Sequence, residues 1–112
     1  MQSRKQDMSE TLSQYPITAN NESERKLLSR YLDRKRDDLD QLEHAIERKD
    51  FSVLQRIGHN LAGSGAAYGL LRISVLGRQI EEAAESRSTT DAAATVAELS
   101  RFVSRIAIKD ST

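Results

Sequence analysis

Apolar residues recur every three or four positions along most of this chain, the spacing of one face of an α-helix. Leu28, Tyr31, Leu32, Leu39, Leu42 and Ile46 make the first long stripe. Asn21 precedes it as an N-cap with Glu24 three residues on, a capping-box pair, and the predicted helix runs to about Lys49. Asp50 caps a second helix with Phe51, Leu54, Ile57, Leu61 and Tyr68 on one side, ending near Gly69. A third helix is predicted over residues 71–86, with Ile73, Leu76, Ile80 and Ala84 inward and Gly77 where a neighbouring helix comes close. After a polar connection over 87–90, Thr90 or Asp91 caps a fourth helix striped by Val96, Leu99, Val103 and Ile106. Four amphipathic helices joined by short turns predict an all-α, up-down-up-down four-helix bundle over residues 22–112. Alternating apolar–polar strand runs are missing. Residues 1–21 form a short N-terminal extension, a tail or a short helix: Met8, Leu12 and Tyr15 have helical spacing, and Pro16 ends it. Between Arg34 and Asp40 charges of both signs alternate, which predicts a solvated face.

Composition narrows the function more than the fold. The 112 residues suffice for one domain with one core. Lys plus Arg and Asp plus Glu both number 17, so no positive surplus drives sequence-independent binding to nucleic acid. Tryptophan is absent and aromatics are few, which removes base-stacking platforms. Without cysteine there is neither a disulfide framework nor a thiolate metal site. No apolar run approaches the ~20 residues that span a bilayer, and the N-terminus is polar where a signal peptide would be apolar. A cytoplasmic location is expected. The amphipathic stripes close on one another, with no extended heptad to demand a dimer, so a monomer is expected.

Glycine is the anomaly in the second helix. Gly58, Gly63, Gly65 and Gly69 surround His59, one of two histidines, although each glycine in a helix costs about 0.8–1.0 kcal/mol relative to alanine. On a helical wheel with Leu54 at zero, Ile57, Leu61 and Tyr68 cluster near it, with Gly58 and Gly65 between them as packing residues. His59 falls roughly 140° away and points outward, with Gly63 one turn later and Ser52, Gln55, Arg56 and Ala66 around it. Gly63 and Ala66 leave the approach to the imidazole clear. A solvent-facing imidazole in its neutral form is a competent nucleophile at cellular pH. His44, the other histidine, sits among Glu43, Glu47 and Arg48 without glycines, as a surface histidine does. Other chemistries lack their parts. The two histidines have no paired ligand spacing for a metal, Gly63-Ser64-Gly65 follows no strand and precedes no lysine, and no Ser/His/Asp triad can be assembled.

The segment Gly58-His59-Asn60-Leu61-Ala62-Gly63-Ser64, with Gly69 ten residues after the histidine and Ile80-Glu81 closing the third helix, resembles the histidine-containing phosphotransfer (HPt) domain. Asp50-Phe51 is similar to the turn that precedes the histidine helix there, and the likeness covers about residues 25–105. The resemblance implies a phosphorelay intermediate that carries a phosphoryl group between receiver-domain aspartates of a two-component system. On that reading His59 is the phosphoacceptor, Gly63 and Ala66 give clearance, and Ser52, Asn60 and Ala62 belong to the receiver-docking face. Glu81, ahead of Gln79, matches the residue that orients the ring, and Gln55 is a further neighbour able to support ring or phosphate. Mg²⁺ is expected on the receiver and no cofactor on this chain. The implied partners are response-regulator receivers and a hybrid histidine kinase; nucleic acid and membrane are not among them. The resemblance implies a phosphocarrier and not an enzyme in its own right, with no ATP-binding domain or kinase core expected on this chain.

One position departs from that pattern. The family usually has Lys or Arg three residues after the histidine, and this chain has Ala62. Arg56, one turn before His59, or Arg78 from the third helix are the cations that stand nearest in the sequence pattern. The departure also supports a second reading, a receiver-binding helical module without phosphotransfer. A third makes the chain the detached HPt domain of a hybrid sensor kinase.

Overall fold

Helix boundaries follow the local capping chemistry. The computed structural model describes residues 14–111. Helix α1 (Glu22–Arg48) starts at Asn21, whose side chain accepts the Glu24 N–H at 2.9 Å. The Glu24 carboxylate reaches back to the Asn20 N–H at 3.2 Å, so the box closes one residue earlier than the Asn21–Glu24 pairing predicts. Lys49 ends α1 in the left-handed region with φ 56°, and its N–H returns to Ile46. Helix α2 (Phe51–Ser64) is capped by Asp50, which accepts the Val53 N–H at 3.2 Å. Helices α3 (Leu71–Glu85) and α4 (Thr89–Arg105) complete the bundle.

The four helices pack in sequence, with α4 closing against α1. Leu42, Leu54, Leu61, Leu70, Ile73, Leu76 and Ile80 have no solvent exposure and form the centre of the core, joined by Tyr31, Leu99 and Phe102. This is the all-α four-helix bundle that the stripes predict.

Several expectations are corrected at the ends of elements. The second helix stops at Ser64, short of Gly69. Residues Ala66–Tyr68 tighten into a 3₁₀ turn that ends at Gly69, whose φ of 75° suits glycine. The cause is a contact with α3: the Ser74 hydroxyl accepts the Ala66 N–H at 2.8 Å, diverting that donor from α-helical pairing. Ser88 caps α4, in place of Thr90 or Asp91, by accepting the Asp91 N–H at 3.1 Å.

Two strands replace the expected absence of sheet. Strand β1 (Tyr15–Ala19) pairs in parallel with β2 (Ile106–Asp110), in the register Tyr15↔Ile106 to Ala19↔Asp110. Tyr15 therefore belongs to a strand and not to a helix with Met8 and Leu12, which lie outside the described residues. Ile106, expected to close the α4 stripe, turns extended at ψ 129° and begins β2. Tyr15 meets Phe102 edge-on with centroids 5.0 Å apart, and Arg25 pairs with Asp110, so the sheet is tied to α4 and α1.

The charge-dense stretch of α1 is not solvated throughout. Lys35 is only 8% exposed; its ammonium lies 2.8 Å from Asp38 and 4.8 Å above the Tyr31 ring. Tyr31 in turn stacks on Tyr68, centroids 3.9 Å apart, and its hydroxyl lies 3.0 Å from the Ser64 hydroxyl. This cluster braces the C-terminal end of α2 and the turn after it. Burial, partly opposed by the Ser64 bond, raises the Tyr31 hydroxyl above its ordinary pKa.

Candidate functional site

The site begins with two glycines that let α2 and α3 touch backbone to backbone. A Cβ on Gly58 would lie 2.8 Å from the Gly77 carbonyl oxygen and 2.9 Å from the Glu81 nitrogen. A Cβ on Gly77 would lie 2.6 Å from both the Ala62 nitrogen and the Leu61 Cβ. Neither helix tolerates a side chain at this crossing without shifting. One turn further, Gly65 is held as closely, its virtual Cβ 2.6 Å from the Ser74 nitrogen. The inner glycines thus set the helix separation.

That separation brings Glu81 of α3 to His59 of α2. Glu81 Oε2 lies 3.1 Å from His59 Nδ1, with the Glu81 side chain 21% exposed and the His59 side chain 75% exposed. A carboxylate accepts and does not donate, so the proton sits on Nδ1. In the neutral ring Nε2 then carries the lone pair. The arrangement is an oriented imidazole with its unbonded nitrogen in solvent, a nucleophile that a partner surface can reach without entering a cavity.

Around the ring the surface is mostly small or polar. Gly63 is exposed, and a Cβ built there would meet nothing within 4 Å. Ser52, Gln55, Arg56 and Asn60 are exposed on α2, and Ala62 is half-buried at the Gly77 crossing. Ala66 is exposed but lies in the 3₁₀ turn, so its wheel position beside His59, which assumed one unbroken helix, does not hold. Arg78 is exposed on α3. Gln79 is not brought to the ring. It lines a cleft of about 410 Å³ between α3 and α4 with Glu82, Ala83, Ser86 and Asp91. A second groove, of about 450 Å³, lies between β1, α1 and the 3₁₀ turn, and none of the site residues lines it. His44 is exposed on α1.

Two contributors were missed by the sequence reading. Ser74 is 9% exposed and fixes the turn after α2 through Ala66, and Lys35 holds Tyr31 over Tyr68. The available signal was a polar residue inside each apolar stripe. Among the described residues no three His, Cys, Asp or Glu side chains cluster to hold a metal ion, and no helix is long and apolar enough to cross a membrane.

A family model, the Hpt domain, matches residues 26–108, well over half of the chain. The chain belongs to the HPt domain family. HPt domains are phosphotransfer modules of phosphorelay signalling, which act with receiver domains and histidine kinases. The HPt match includes α2 and α3 whole, and with them His59, Glu81 and the glycine crossing. No curated protein and no solved structure matches the chain.

Proposed function

We propose that this HPt domain is a phosphorelay intermediate, with His59 as the residue that carries the phosphoryl group. The observation that carries the reading is the His59–Glu81 pair: Nδ1 is engaged at 3.1 Å and Nε2 faces solvent. In the transfer step the Nε2 lone pair attacks the phosphorus of a receiver's aspartyl phosphate. The P–O bond to the aspartate breaks in line, and its electron pair leaves with the carboxylate. Glu81 holds the ring and balances the positive charge that develops on it. Gly63 leaves room for the receiver to descend, and Ser52, Asn60 and Ala62 lie on the face it covers. Mg²⁺ belongs to the receiver's site, so this chain is a phosphocarrier rather than an enzyme. It works in the cytoplasm as a monomer, between a hybrid histidine kinase and a response regulator.

The test is transfer from a phosphorylated receiver domain to the wild-type chain and to His59→Gln. Acid-labile, base-stable label on the wild type and none on the variant is the expected result. Label that reaches the variant equally would overturn the assignment. Ala62 favours one other reading, a receiver-binding module without transfer. In that case His59→Gln retains both receiver affinity and signalling output, and the wild type takes up no label.

A further inference from the structure

The phosphoryl group that His59 accepts carries a charge of about −1.5 to −2 and arrives close to the Glu81 carboxylate. Position 62 holds alanine and supplies no charge to offset it. We propose that Arg56 is the residue that binds the phosphoryl group on His59 Nε2; this rests on the phosphocarrier reading above.

The direction of the ring selects Arg56. The closest approach of α2 to α3 runs along Gly58, Leu61, Ala62 and Gly65. His59 lies roughly 100° round the helix from the line of that contact, and Arg56 and Gly63 lie a further 40–60° in the same sense. Nδ1 is turned to Glu81 on α3, and the two ring nitrogens leave the imidazole on opposite sides. Nε2 therefore faces away from α3, toward the side of α2 that bears Arg56 and Gly63. Residues three apart on a helix have Cβ atoms about 5–6 Å apart, and a helical side chain leans over the turn that precedes it. The His59 ring accordingly leans toward Arg56, while the side of Gly63 stays open.

Charge points the same way. The helical neighbours of Arg56 at three and four residues are Ser52, Val53, His59 and Asn60, none of them acidic. Its guanidinium is exposed and makes no ion pair among the described residues. Arg78 stands on the Nδ1 side, on α3, with Glu81 and Glu82 as its neighbours at three and four residues. A free guanidinium presents a planar fork of donors that suits phosphate oxygens.

The test uses the full chain and phosphoramidate as donor, so no partner is needed. The Nε2–P bond forms, the P–N bond of phosphoramidate breaks, and ammonia leaves. Wild type, Arg56→Gln, Arg56→Lys, Arg78→Gln and His59→Gln are followed by ³¹P NMR, with far-UV circular dichroism to confirm folding. Arg56→Gln is expected to slow labelling about three- to tenfold and to raise the titration midpoint of the attached phosphoryl group by about half a pH unit or more. Arg56→Lys should restore most of both, and Arg78→Gln should change neither. A labelled His59 whose rate and midpoint are unchanged in Arg56→Gln, or changed only in Arg78→Gln, overturns this inference alone. A wild type that takes no label on His59 overturns it together with the phosphocarrier reading.

Discussion

Replacing Gly77 by alanine tests whether helix separation positions the imidazole. The added methyl would sit 2.6 Å from the Ala62 nitrogen, 2.6 Å from the Leu61 Cβ and 2.8 Å from the Gly58 oxygen. Two of the three atoms are backbone, so relief requires α3 to move off α2. Overpacking of this kind costs about 1–3 kcal/mol, and the tightness of three contacts places it toward the upper end. The better helix propensity of alanine returns about 0.8–1.0 kcal/mol, leaving a net loss of about 1–2 kcal/mol. For a chain of this size that lowers Tm by roughly 4–10 °C. The same movement lengthens the His59–Glu81 contact beyond 3.1 Å, and a few tenths of an ångström take it out of hydrogen-bond range. Urea denaturation gives the stability and ¹⁵N NMR of the His59 imidazole gives the ring's tautomer. Gly63→Ala is the control, because a Cβ there meets nothing within 4 Å. It should stabilise by up to about 1 kcal/mol while slowing transfer from a receiver. A Gly77→Ala variant as stable as wild type, with unchanged imidazole signals, refutes the role given to the glycine crossing.

Further predictions concern single side chains. Glu81→Ala should abolish the Nδ1–H preference of His59 seen by ¹⁵N NMR and slow phosphoryl transfer, whereas Glu81→Gln, whose amide oxygen still accepts, should keep the tautomer. Ser74→Ala removes the 2.8 Å bond that the Ala66 N–H donates to the Ser74 hydroxyl and should cost about 0.5–1.5 kcal/mol in urea denaturation. Burial raises the Tyr31 hydroxyl above its ordinary value of 10.0, so its contribution to stability is complete below that pH and is lost as pH rises above it. Stability measured between pH 9 and 11 should fall in the wild type and fall less steeply in Tyr31→Phe.

The long elements were legible because their period was sustained. Six apolar positions over residues 28–46 allow only a helix, and Asn21 and Asp50 mark helix starts by chemistry that acts locally. The two strands escaped for the opposite reason. Ile17 and Ala19, like Ile106 and Ile108, alternate over five residues, too few to separate a period of 2 from one of 3.6, and each strand's partner is at the far end of the chain. Extrapolating the wheel past Ser64 misplaced Ala66, because a hydroxyl on another helix ends the α-helical pairing. Within the site, the outward direction of His59 and the division of Gly58 from Gly63 followed from angles on one helix. The resemblance already put Glu81 ahead of Gln79, and the packing of α3 gives the physical reason: one residue faces α2 and the other faces α4.

The bond to be tested is the one between His59 Nε2 and phosphorus. Its most direct measurement is ³¹P–¹⁵N coupling in the phosphorylated chain prepared with ¹⁵N-histidine, which identifies both the residue and the nitrogen. One phosphoryl group is expected, bonded to Nε2 of His59, with Nδ1 still protonated toward Glu81. Phosphorus on Nδ1, on His44, or on no histidine would contradict it.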